Sequence, residues 1–134
     1  MAAAARPSEL ELQVLSVLWR DGALTAREVG ENMPDGKTRA YTTVLSVLQV
    51  MEKKGLVTHR AEGRTHRYAA KVTKRQVLGP MLRQLVSNVF GGSATTAVQH
   101  LLAENKVSAE ELREIQDLVA QHESASKPAG RKKS

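Results

Sequence analysis

At 134 residues the chain has room for one core or two small ones. Its formal net charge of +6 favours an anionic partner, and the lack of cysteine excludes a disulfide framework, a thiolate zinc site and a cysteine nucleophile. No apolar run approaches the roughly 20 residues of a membrane span, and the segment from Met1 to Pro7 lacks the parts of a secretory signal. A cytoplasmic protein with no membrane insertion is expected.

Residues 1–7 are expected to be a flexible N-terminus. A first helix starts at Ser8, whose spacing to Glu11 is that of a capping box. Leu12, Leu15, Leu18 and Trp19 then recur at helical intervals until Asp21-Gly22. Thr25 and Glu28 repeat the capping-box spacing and open a short second helix, closed by the turn signal Pro34-Asp35-Gly36. A third helix is expected from about Thr38 to Lys54. Its apolar face is Tyr41, Val44, Leu48 and Met51, and Gly55 is its stop. Two alternating strands, Leu56 to Ala61 and Thr65 to Ala70, flank Glu62-Gly63.

From Thr73 the helical pattern returns, with Val77, Met81, Leu82, Leu85, Val86, Val89 and Phe90 on one broad face. Pro80 is expected to kink this stretch or to mark a helix start. Gly91-Gly92-Ser93 breaks it. A helix from about Ala94 to Glu104 carries Val98, Leu101 and Leu102, and a last one begins at the Ser108–Glu111 capping box with Leu112, Ile115, Leu118 and Val119 inward. Residues 124–134 hold Lys127, Arg131, Lys132 and Lys133 without a large apolar residue, so a disordered basic tail is expected. The fold class is mainly α with a small β-hairpin.

The stretch from Lys37 to Lys71 carries Lys37, Arg39, Lys53, Lys54, Arg60, Arg64, Arg67 and Lys71 against only Glu52 and Glu62. Within the third helix Thr42, Ser46 and Gln49 form a polar, uncharged stripe, continued by Lys53. Such side chains can donate to and accept from base edges, whereas a carboxylate there would be repelled by phosphates. Arg60, Arg64 and Arg67, with Thr65 and His66 between them, cluster at the hairpin as phosphate anchors. A helix with that stripe beside a cationic ribbon suits double-stranded DNA.

The apolar residues Leu82, Leu85, Val86, Val89, Phe90, Leu101, Leu112, Ile115 and Leu118 exceed what three small helices can hide among themselves. They are the candidate homodimer interface. His59, His66, His100 and His122 lack metal-ligand spacing, and Gly91-Gly92 lacks the Lys-Ser or Lys-Thr of a phosphate loop. No catalytic group, metal or cofactor is therefore expected. A protein-interaction module and a nonspecific architectural DNA protein remain alternative readings.

The segment AYTTVLSVLQVMEKKGLVTHRAEGRTHRYAA resembles the winged-helix signature of the penicillinase-repressor (BlaI/MecI/CopY-type) family. SELELQVLSVLWRDGALTAREV is similar to that family's first two helices, and NVFGGSATTAVQHLLAENKVSAEELREIQDLV follows its C-terminal pattern. The likeness covers roughly Ser8 to His122. It implies a homodimeric transcriptional repressor with a winged helix-turn-helix at residues 8–72 and a helical dimerisation domain at 73–123. DNA contacts carried over by it are Tyr41, Thr42, Thr43 and Ser46 of the third helix, and Arg60, Arg64, Thr65, His66 and Arg67 of the wing. Arg39 and Gln49 extend the recognition set, and Lys37 and Lys53 the backbone set. The resemblance also implies inactivation by cleavage in the C-terminal domain, triggered by a membrane sensor protease. The matching bond is His100-Leu101, where the family typically has Asn followed by Phe.

Overall fold

The computed structural model describes residues 6–126. Helix α1 spans Glu9–Asp21, α2 Ala26–Glu31, α3 Tyr41–Lys53, α4 Lys74–Asn88, α5 Ala94–Glu104 and α6 Ala109–Ser126. Strands β1 (Leu24–Thr25), β2 (Val57–Glu62) and β3 (Thr65–Ala70) form one antiparallel sheet in the order β1-β3-β2. Two compact units divide the chain, one ending at Arg83 and the other beginning at Gln84.

Capping places α1 and α2. Ser8 Oγ accepts from the Glu11 N–H while Glu11 accepts from the Ser8 N–H, and Thr25 and Glu28 do the same for α2. Val14, Leu15, Val17 and Leu18 of α1 then meet Val29 of α2, Val44, Leu48 and Met51 of α3, and Leu56, Val57 and Tyr68 of the sheet in one buried core. Trp19 seals its edge, with Nε1 donating to the Val72 carbonyl at 2.9 Å. Gly55, at φ +81°, turns the chain from α3 into β2, which an L side chain rarely allows.

Several boundaries differ from those read in the sequence. Helix α3 starts at Tyr41, not Thr38. Asp35 accepts from the Lys37 N–H and grips the Arg39 guanidinium, which holds residues 37–40 out of the helix. Strand β1 was absent from the expectation, because two residues directly before a helix cap carry no alternation. The first unit reaches past residue 72 into α4, where Val77 packs against its core. Pro80 sits inside α4 and the helix continues through it. Helix α6 runs through Ser126, so residues 124–126 are helical and not part of a disordered tail; the basic cluster from Lys127 onward lies outside the described residues. Among the described residues no helix is long and apolar enough to cross a membrane.

One buried charge ties the end of α3 to α1. Glu11 is 5% exposed and accepts from Lys54 Nζ at 2.8 Å. Burial pushes its carboxyl up, but the Lys54 and Ser8 hydrogen bonds outweigh that and hold it below the usual carboxylate range. A depressed pKa contributes stability above the unfolded value and loses it as pH falls through the folded value. Lys54→Met strands the carboxylate and is expected to destabilise by about 1–3 kcal/mol at pH 7. Urea unfolding should show that deficit shrinking towards pH 3; an equal deficit at both pH values would refute it.

Candidate nucleic-acid interface

Helix α3 buries Val44, Leu48 and Met51, so at 100° per residue the opposite side carries Thr42, Ser46, Gln49 and Lys53. All four are exposed, as is Thr43 beside them. Tyr41 was expected on the apolar face and instead stands 56% exposed at the start of the helix, one turn before the core begins. No carboxylate lies in the first turn, and Ala40 occupies the N-cap without a side-chain hydrogen bond. Ser8, Thr25 and Ser93 cap α1, α2 and α5 with their hydroxyls. The α3 N-terminus alone of these four leaves its positive end and backbone N–H groups open to an anion.

The hairpin supplies the second element. Strands β2 and β3 join through Gly63-Arg64, with Gly63 at φ +64° as a tight two-residue connection requires. The register puts His59 opposite Tyr68, Ala61 opposite His66, and Arg60 opposite Arg67. Alternation therefore gives two faces. On the core-facing one the His59 and His66 rings stack at 4.3 Å, and His59 Nδ1 lies 2.8 Å from the Glu52 carboxylate. Glu52, the one acid of α3, is thereby turned towards the hairpin and away from the Thr42 stripe.

Arg60 and Arg67 face each other on the outer side, where like charges repel. Arg67 relieves this by turning to acids: it bonds Glu62 at 2.9 Å, Glu28 at 3.3 Å and the Ala23 carbonyl at 3.1 Å. Arg67, expected as a wing contact, is thus also a strut between hairpin and α2. Glu62 raises the pKa of its guanidinium, while Glu28 is drawn down first by the Thr25 N–H and then by Arg67. Arg60 and Arg64 are exposed and have no ion pair among the described residues, as do Lys37 and Lys53. Thr65 Oγ1 donates to the Glu62 carbonyl at 3.0 Å.

Arg39 also moves. It precedes α3, and both arms of its guanidinium are held by Asp35 at 3.1 and 2.7 Å. That pair holds the Asp35 carboxyl well below the usual range. Arg39, expected in the third helix, therefore steadies the entry to α3 from outside it. Among the described residues no group of three or more His, Asp or Glu side chains is placed to hold a metal ion.

In the second unit no residue of α5 is buried. Leu85, Val89, Leu101, Leu112 and Leu118 are exposed, Val89 and Leu118 by 66% and 63%. Val86, Phe90 and Ile115 are half-buried, and the Phe90 ring lies 5.2 Å from that of His100. Leu82, on the stretch of α4 that belongs to the first unit, is also exposed. The His100-Leu101 bond lies inside α5 with both residues exposed.

An open-ended helix whose exposed stripe carries no carboxylate, beside a cationic hairpin on a three-helix core, defines a winged helix-turn-helix DNA-binding protein. The penicillinase repressor model matches residues 7–121. The chain is 34% identical to the transcriptional regulator BlaI of Mycobacterium tuberculosis over 125 residues, covering 92% of this chain and 89% of that one. It is 23% identical to the penicillinase repressor of Bacillus licheniformis over 120 residues, covering 90% and 94%. The solved complex structure of hsRosR shares the fold at 17% identity and a TM-score of 0.50, covering 88% of this chain and 90% of that one. The chain belongs to the penicillinase repressor family and is a DNA-binding transcriptional repressor.

Proposed function

We propose that the protein represses as a homodimer on an inverted-repeat operator. Thr42, Thr43 and Ser46 read base edges, Tyr41 and Gln49 flank them, and Lys37, Lys53, Arg60, Arg64, Thr65 and His66 hold the backbone. The observation that carries this is the exposed Thr42-Ser46-Gln49 stripe at the uncapped end of α3. Hydroxyls and an amide there can pair with bases, while the neighbouring cations take phosphates and set the register.

One winged helix grips few phosphates. The exposed leucines and valines of α4–α6 give a self-complementary apolar face on which two copies can close. Pairing makes the second DNA contact intramolecular, and it requires half-sites about one helical turn, or a multiple, apart. Relief by a membrane sensor protease would act through this face. The bond at the matching position, His100-Leu101, is helical, so cutting it requires α5 to unwind first.

Selection of bound sequences from a random DNA pool tests the reading. An enriched inverted repeat is expected. Enrichment of single half-sites would overturn the dimer, and no enrichment would favour a protein-interaction module. Salt titration of the selected site then separates the arginines. Arg64→Ala should reduce the slope of log K against log salt by about 0.9, one phosphate contact. Arg67→Ala should leave the slope unchanged, because its charge faces Glu62 and Glu28. An unchanged slope for Arg64→Ala would remove the hairpin tip from the interface.

A further inference from the structure

The first unit holds a cavity of about 890 Å³ between α3 and the hairpin, within the size range of small-molecule sites. One wall is Tyr41, Leu45 and Gln49, spaced by four along α3; His66 and Tyr68 of β3 and the α2 helix enclose the rest. Gly30 of α2 stands in its wall where α2 and α3 pack closely, since a Cβ added there would touch Val44 Cγ2 at 3.4 Å. Met33 and Val44 make the adjoining lining apolar. Around this apolar lining stand Arg27, Lys37 and Arg64, none of them in an ion pair among the described residues, with Glu31 as the one carboxylate of the lining.

We propose that this cavity binds an amphipathic organic anion, a carboxylate on an aromatic or short alkyl body, and that the bound anion excludes operator DNA. The apolar lining takes the body, which a DNA phosphate does not need, and the unpaired cations take the carboxylate. Tyr41, Gln49, Arg64, Thr65 and His66 line the cavity and also belong to the proposed DNA interface, so occupant and operator compete. The repressor would then respond to a small molecule without chain cleavage. The competitive half rests on the DNA-reading assignment above; ligand binding does not.

Calorimetry and amide-resolved NMR of the full chain with 1-naphthoate test this. Saturable binding is expected, with shifts centred on Gly30, Val44 and Tyr68. Arg27→Glu should weaken it about tenfold or more, as should replacing 1-naphthoate by uncharged naphthalene. Gly30→Leu should block the cavity; if that variant unfolds, Arg27→Glu carries the test. Shifts confined to α5 and α6, equal binding by Arg27→Glu, or no binding at all would overturn the site. In mobility shifts with a DNA fragment selected from the random pool, 1-naphthoate should weaken binding by the wild type and not by Arg27→Glu. Occupancy of the cavity with unaltered DNA affinity would overturn the competition. Failure to select any DNA would instead sink the operator reading and leave the naphthoate result standing.

Discussion

Leu118→Asp is expected to yield a folded monomer whose affinity for the full inverted repeat is lower by about 10²- to 10⁴-fold. Leu118 is 63% exposed within its own chain, so the substitution removes little from the packing of one copy. In a dimer the same residue is covered, and a buried, unpaired carboxylate is costly. The loss should appear only as avidity: binding to an isolated half-site should match that of the wild type, since α3 and the hairpin are untouched. Sedimentation fixes the oligomeric state, and mobility shifts on full and half sites read the two affinities. A Leu118→Asp dimer with wild-type affinity would move the interface off α6.

The same exposure explains how far the sequence could be read. Helical periodicity marked α4, α5 and α6 and their apolar residues, because a stripe of leucines has one period whether it faces a core or a partner. Periodicity cannot say which of the two covers it; exposure in the folded chain shows that their own unit leaves Leu85, Val89, Leu101, Leu112 and Leu118 uncovered. Capping boxes at Ser8 and Thr25 were legible because the cap is local chemistry. The start of α3 was not, since a bidentate pair between Asp35 and Arg39 sets it and neither residue announces its partner. The pairing of Arg67 was hidden for the same reason. Charge counting finds cations around the hairpin, but only the cross-strand register with Arg60 and the approach of Glu28 from α2 show that this one is occupied. The open N-terminus of α3 did leave a signal that went unread: Ala40 stands where the neighbouring helices carry Ser or Thr.

The cavity beside α3 had no signature in the sequence. Its walls come from α2, α3 and β3, and Gly30 in a short helix reads only as a weak helix former. Cations there also read as generic DNA-binding charge. Placed in the fold, α3 shows a stripe that faces away from the core and a wall of the hollow, with Gln49 common to both. One helix thus presents base-reading groups on one side and lines a cavity on the next, about a quarter-turn round.

Ser46→Glu is expected to abolish operator binding at physiological salt, with an affinity loss of at least about 10²-fold. The residue is exposed at the centre of the stripe opposite Val44, Leu48 and Met51, so the fold should tolerate it. A carboxylate brought against base edges and flanked by phosphates meets like charge at close range, which costs several kcal/mol. Ser46→Ala removes only a hydrogen bond and should cost about 1–3 kcal/mol at defined base positions, with nonspecific affinity retained. The contrast between the two separates charge from contact. Ser124→Glu, exposed near the end of α6, changes net charge equally at a distance and controls for the overall field. If Ser46→Glu and Ser124→Glu weaken binding alike, α3 does not enter the groove by this face. The open end of the helix would then serve only the backbone.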